Sequence, residues 1–113
     1  MATLEGGLLL AWQEWNYTMH QYNIKMQKYD TNLLPVWLES GILVSNYGPR
    51  ENRFQMLMKN NGNILASWTT VNYSPFSIYY MAQLIDPQGI KCWGENGSII
   101  QELSDYLNLS YQF

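Results

Sequence analysis

The chain has 113 residues, which is material for one small domain, and 47% of them are apolar. Its net charge is −3 and its six Lys and Arg residues are spread singly, so a basic nucleic-acid-binding patch is excluded. The single cysteine, Cys92, and the single histidine, His20, exclude an internal disulfide and a metal site built from several such residues. We therefore predict neither a metal nor another cofactor.

The sequence also lacks the usual signals of membrane insertion. Its N-terminus has no basic region ahead of the short apolar run, so it does not look like a signal peptide. No uninterrupted apolar stretch approaches the roughly 18 residues of a membrane span. We expect any contact with a membrane to be made by segments outside this sequence.

The first predicted element is a long amphipathic helix over residues 8–29. Large side chains recur there at alternating spacings of four and three residues, which places them on one face of a helix. The opposite face is polar, so the pattern predicts a helix packed on a sheet or on a partner helix. The apolar face consists of Leu8, Trp12, Trp15, Met19, Tyr22, Met26 and Tyr29.

The middle of the chain carries short elements and one predicted boundary. Pro35 ends any continuation of the helix, and residues 41–44 form a short apolar run typical of a strand. The polar, turn-forming residues 59–63 predict a domain boundary. It divides the chain into an N-terminal segment, 1–63, and a second part, 64–113. No internal repeat is predicted along the chain.

The second part follows the order strand, loop, helix, strand. A strand is predicted over residues 64–71, and a proline-containing turn follows at residues 73–76. A helix is predicted to begin at Ser98, which forms a capping box with Gln101. The alternating residues 109–113 predict a final strand. This order predicts an α/β fold with a parallel sheet.

Asn-x-Ser/Thr sequences occur more often than chance would supply. They place glycosylation candidates at Asn16, Asn96 and Asn108. A fourth, Asn72, is a poor acceptor because Pro75 directly follows its serine. The excess favours exposure to the secretory pathway.

No constellation in the sequence predicts an enzyme. Glu102 and Asp105 share a face of the predicted helix, but it is the solvated face. Cys92 lies beside Lys91, yet no placed base would activate its thiol. The better candidate is Phe76, a ring on a loop that follows a predicted strand, where open α/β sheets place ligand contacts. Phe76 could instead cap the apolar layer of the sheet.

Residues 64–113 resemble the opening of the ligand-binding domain of ionotropic glutamate receptors and of the arthropod ionotropic (chemosensory) receptors. The resemblance rests on the turn Ser74-Pro75-Phe76, on Gly94, on the helix segment 99–104 and on the exit segment 107–113. It covers somewhat under half of the chain. Ser98 departs from the family, which has an acidic residue there, and the turn has one proline rather than two.

The resemblance implies a partial periplasmic-binding-protein-like lobe, truncated before the second lobe and the pore helices. The chain would then be an extracellular fragment of a ligand-gated cation channel of the cell membrane, and residues 1–63 would be the tail of an upstream extracellular domain. In the intact parent, Phe76 would contact an amino-acid or odorant-like ligand, and the remaining receptor domains and subunits would be the partners. The alternative is a protein–protein interaction module that docks the aromatic helix face from Trp12 to Tyr29 on a partner.

Overall fold

The computed structural model describes residues 1–3, 5–18, 20–38, 40–46, 54–73 and 76–103. In these ranges the chain forms seven strands in two antiparallel sheets. The first sheet has the order β1-β2-β3, with β1 (Leu8–Asn16), β2 (Gln21–Tyr29) and β3 (Ile42–Ser45). The second has the order β4-β5-β6-β7, with β4 (Gln55–Met58), β5 (Ile64–Tyr73), β6 (Phe76–Ile85) and β7 (Ser98–Leu103).

The predicted amphipathic helix over residues 8–29 is wrong, and so is the α/β fold. β1 and β2 form a hairpin in which Leu8 pairs with Tyr29 and Trp15 pairs with Tyr22. His20 has a φ of 55°, a left-handed conformation that a continuous helix does not contain. The aromatic and branched residues of this segment favour strands. Trp12 and Trp15, expected on one helical face, therefore point to opposite faces of a sheet.

The predicted helix at Ser98 and the periplasmic-binding-protein-like lobe are also wrong. Residues 98–103 are strand β7, in which Ser98 pairs with Ala82. The Ser98 hydroxyl donates to the Trp93 carbonyl oxygen at 3.3 Å instead of capping a helix. The strand predicted over 64–71 is confirmed as part of β5, whereas the strand predicted over 109–113 lies outside the described residues.

The segment predicted as a domain boundary is a hairpin turn. Residues 59–63 join β4 to β5, and the Lys59 amide donates to the Asn63 carbonyl at 2.8 Å. The two sheets separate instead between β3 and β4. The assignment of 1–63 and 64–113 as distinct domains stays a prediction.

The two sheets repeat one structural unit with an offset of 56 residues, so the expectation that the chain has no internal repeat is wrong. We name the copies unit 1 (residues 1–46) and unit 2 (residues 54–103). Each has a bulge at the equivalent place, between Ile24 and Lys25 and between Tyr80 and Met81. The pairings of unit 1 recur in unit 2, among them Ala2–Leu8 as Met58–Ile64, Lys25–Leu43 as Met81–Ile99, and Met26–Ile42 as Ala82–Ser98.

The units pack with unlike faces together. We call the residue 56 positions away in the other unit the counterpart of a residue. One face of each sheet, face A, contains Leu9, Ala11, Ile24, Met26, Ile42 and Val44 in unit 1 and their counterparts in unit 2. Face B contains Ile64, Ala66, Trp68, Met81, Gln83 and Ile85 in unit 2 and their counterparts in unit 1. One hydrophobic cluster joins face A of unit 1 to face B of unit 2, and the large side chains at its centre are almost fully buried. The junction is therefore head-to-tail.

Candidate interaction surface

Trp37, in the loop between β2 and β3 of unit 1, contacts the turn after β6 of unit 2 at the junction between the units. Only 9% of its surface is exposed, and its indole Nε1–H donates to the Pro87 carbonyl oxygen at 3.0 Å. Its ring lies over Gly89, where a Cβ would come within 2.8 Å of Trp37 Cγ. A second bond between the units joins the Asn46 amide to Asn96 Oδ1 at 2.9 Å. We call the site formed by Gly89 and the Pro87 carbonyl oxygen the Trp37 seat. It requires a residue without a side chain and an available carbonyl oxygen in the turn of unit 2.

The turn that forms this seat is shaped by an aspartate. Asp86 Oδ1 accepts hydrogen bonds from the amides of Gln88 and Ile90, both at 2.9 Å. Such an Asx turn holds the backbone in a fixed loop. Gly89 completes it with a φ of 85°, in the left-handed region where glycine carries no steric penalty. In unit 1, Asp30 makes the equivalent bonds.

The loop that carries the tryptophan is held by a buried glutamine in both units. Gln83 is fully buried, and its Nε2 donates to the Gly94 carbonyl at 2.8 Å. Its Oε1 accepts from the amides of Trp93, at 2.9 Å, and of Leu84, at 3.2 Å. Gln27 makes the same three kinds of bond in unit 1. Each tryptophan is therefore presented by a loop that the unit itself makes rigid.

The outer surface of unit 2 repeats the features of the junction without a cover. Trp93, the counterpart of Trp37, is 38% exposed, and Ile100, the counterpart of the buried Val44, is 58% exposed. Leu57, which pairs with Leu65 on face A, is 60% exposed. The counterparts of Leu65, Trp93 and Ile100 in unit 1 belong to one hydrophobic cluster, so these side chains are inferred to form one patch, and exposed apolar patches mark interaction sites more often than scattered side chains do. We call Leu57, Leu65, Trp93 and Ile100 the outer patch.

The outer surface of unit 1 has a different character. The Trp12 Nε1–H donates to Glu14 Oε2 at 2.7 Å, and Lys25 Nζ lies 3.5 Å from Glu14 Oε1. The bond from Trp12, followed by the charge of Lys25, lowers the pKa of the Glu14 carboxyl. The counterparts of Glu14 and Lys25 in unit 2 are Thr70 and Met81. Face B of unit 1 is therefore charged where face B of unit 2 carries no charge.

A cavity of about 340 Å³ lies beside the first hairpin of unit 1. Its lining includes Thr3, Glu5, Lys28, Asp30 and Thr31. Lys28 Nζ is 3.6 Å from Glu5 Oε1, so the charged groups of Lys28 and Glu5 already pair with each other. Within the part of the chain that the structure describes, no three His, Cys, Asp or Glu residues gather as metal ligands would. The cavity shows no catalytic arrangement.

The residues predicted to be functional are not brought together. Phe76 pairs with Tyr73 at the start of an antiparallel strand, so the expected loop at the end of a parallel strand does not exist. Asn16 ends β1, and its Oδ1 accepts from the Thr18 amide at 3.0 Å. Asn96 Oδ1 is engaged by Asn46, and Asn108 lies outside the described residues. Ligand binding at Phe76 and glycosylation of these asparagines stay predictions.

The tryptophan loops and their glutamines were missed in the sequence, although a signal for them exists. Ten residues are identical at an offset of 56, including Gln27, Asp30, Trp37 and Gly41. Their counterparts, Gln83, Asp86, Trp93 and Gly97, occupy the same places in unit 2. Repeats of this length are typical of stacked arrays.

Comparison with known proteins adds no relative. No family model matches the chain, and neither a curated protein nor a solved structure matches it. Among the described residues, no helix is long and apolar enough to cross a membrane.

Proposed function

We propose that the chain is a protein–protein interaction module whose β units associate, face A to face B, with further units of the same kind. The observation that carries the proposal is the junction itself, where unlike faces of two like units pack together. A head-to-tail contact leaves one unlike face free at each end. The free face of unit 2 bears the outer patch.

The energetics favour a protein surface as the occupant of this patch. Burying a large aliphatic side chain contributes about 1.5–3 kcal/mol, so covering Leu57 and Ile100 supplies a useful part of a binding energy. A partly exposed tryptophan near such residues is a frequent anchor of interfaces. Stacked repeat proteins gain stability from each neighbour in this manner.

A chain lengthened by one unit tests the proposal. Phe113 stands 56 residues after Leu57, which is one repeat length. A second copy of residues 58–103 attached directly after Phe113 therefore places each of its residues one repeat length after the original. We call this protein the extended chain. The third unit is expected to fold on unit 2 and to raise the urea midpoint of unfolding above that of the original chain.

The variant Ile100→Glu is the matched control. In the original chain it changes stability by less than about 0.5 kcal/mol, because Ile100 is 58% exposed. In the extended chain it removes most of the gain, since the charge would be buried in the new junction. An extended chain whose midpoint equals that of the original, with the third unit unfolded by circular dichroism, contradicts the proposal.

The two functions predicted from the sequence have a weaker basis. The receptor fragment depended on a helix at residues 98–107, where the structure has β7 up to Leu103. It stays a prediction: a truncated lobe should give no heat when glutamate, glycine or amines are titrated into it, and a clear micromolar isotherm contradicts it. The docking helix from Trp12 to Tyr29 is wrong, because its residues lie on both faces of a hairpin. An interaction module remains the better function, with sheet faces in place of the helix.

A further inference from the structure

We propose that Trp93 docks into the turn of a further unit that carries glycine at the position of Gly89, and that unit 1 offers no such seat to a second copy of this chain. The inference rests on the proposed function and names its partner: a unit of the same repeat with an Asp-x-x-Gly turn. It also gives the assembly a direction, because each unit is added to the side of unit 2 that carries Trp93.

The Trp93 loop already has the conformation that docking requires. Gln83 binds the amide of Trp93 and the carbonyl of Gly94, as Gln27 binds the loop of Trp37. The two tryptophans differ in their surroundings, since Trp37 is 9% exposed and Trp93 is 38% exposed. A side chain that is positioned before binding loses little conformational entropy on docking. Trp93 therefore needs only a partner of the right shape.

The seat of Trp37 defines that shape. The partner turn must leave a carbonyl oxygen at the position of Pro87 for the indole N–H, and it must lack a side chain at the position of Gly89. A Cβ at Gly89 would approach three atoms of the Trp37 ring within 2.8–3.0 Å. Real Cβ atoms do not come so close, so any other residue would displace the ring.

Unit 1 does not meet this requirement. Leu33 stands at the position of Gly89, with a φ of 62° and a side chain that is 67% exposed. Its Cβ would occupy the space that an incoming tryptophan ring needs. The Glu14–Lys25 pair on the same unit would also have to lose water on docking. A second copy of this chain is therefore a poor partner for Trp93.

Replacing the obstructing residues in the full chain tests the inference. The wild-type chain is expected to sediment as a monomer over a series of increasing concentrations. The variant Leu33→Gly, alone or combined with Glu14→Thr and Lys25→Met, gives unit 1 the residues of unit 2 and should associate head-to-tail. Adding Trp93→Ala should weaken that association by about tenfold or more, as expected for a central tryptophan anchor.

Three outcomes of the sedimentation experiment would overturn the inference. One is a wild-type chain that associates as tightly as the variants, since Leu33 would then be no obstacle. Another is association of the variants that Trp93→Ala leaves unchanged. The third is no association of any variant.

The extended chain separates this inference from the proposed function. Trp93→Ala should lower the urea midpoint of the extended chain by more than it lowers that of the original chain. Leucine in place of the added unit's copy of Gly89 should remove part of the gain in midpoint that the added unit supplies. If the added unit stabilises the chain but Trp93→Ala costs no more than in the original and the leucine leaves the gain intact, the Trp93 seat is refuted while the proposed function stands. If the added unit gives no gain and Ile100→Glu has no effect, both are refuted.

Discussion

Gln27 and Gln83 show how one buried polar residue can organise a loop in two different settings. Each binds two backbone amides and one carbonyl, so its amide group is satisfied although it has no contact with water. Gln83 lies on the packed face of unit 2, and Gln27 lies on the outer face of unit 1, where the tryptophan loop covers it. The loop is thus anchored by its own unit and not by its neighbour.

We expect Gln83→Met to destabilise the chain by about 3 kcal/mol. Methionine fills a similar volume, but it leaves three partly buried backbone groups, the Gly94 carbonyl and the amides of Leu84 and Trp93, without these partners. The matched control is Gln88→Met, whose side chain is exposed in the turn of the same unit and which should cost less than about 0.5 kcal/mol. Urea denaturation measures both variants. Equal stability of the two would contradict the role assigned to Gln83.

The pH dependence of stability should reveal the Glu14 interactions. Since folding lowers the pKa of the Glu14 carboxyl below its ordinary value, the interactions of Glu14 stabilise the fold above that ordinary value, and this contribution is lost as the pH falls through the folded pKa. The group is largely exposed, so the contribution is at most about 1 kcal/mol. The difference in unfolding free energy between wild type and Glu14→Gln should be largest near pH 7 and should shrink as the pH falls through the folded pKa of Glu14. A difference that does not change with pH would refute the assignment.

At the scale of elements, β5 was easier to predict than the two strands of the first hairpin. Residues 64–71 alternate and are bounded by polar turns, and they form β5 as expected. The segment 8–29 has large residues at helical spacing, but Leu8, Leu10 and Trp12 also recur at a spacing of two, which is the strand period. The left-handed turn at His20 decides between the two patterns, and nothing local in the sequence marks it.

Alanine substitutions at Gly94 and Gly97 distinguish the cost of backbone strain from the cost of a steric clash, because the two glycines have the same backbone conformation but different neighbours. Gly94 and Gly97 both have a φ of 86°, but a Cβ on Gly97 would lie 2.6 Å from the Ala82 carbonyl and 3.1 Å from the Trp68 ring. A Cβ on Gly94 would have the Gly97 carbonyl oxygen as its nearest neighbour, at 3.8 Å. We expect Gly94→Ala to cost about 1 kcal/mol, which is the left-handed penalty alone.

Gly97→Ala should cost about 3 kcal/mol or more, because the strand or the Trp68 ring must move in addition. Thermal and urea unfolding of the two variants give the difference. If Gly97→Ala is no worse than Gly94→Ala, the contact between Gly97 and Trp68 is not a constraint on the fold.

At the scale of the molecule, the repeat explains what the sequence did not reveal. The identical residues lie mainly in turns and loops, where Asp30, Trp37 and Gly41 meet the same local demands as their counterparts. The strand residues differ because the two units face different surroundings. Lys25 is at the outside of unit 1, whereas its counterpart Met81 is in the core. The ten identities therefore mark the tryptophan loops in the sequence, whereas the outer patch could be recognised only once the two sheets were compared in register.

The head-to-tail junction has a geometric consequence for any larger assembly. Every added unit is related to the one before it by the same rotation and translation, so a small angle at the Trp37 seat is multiplied along the series. If the translation along the axis is zero and the angle divides a full circle, the series closes into a ring with a fixed number of members; otherwise it continues as a helix. A single indole lying over a single glycine then influences the curvature of the whole.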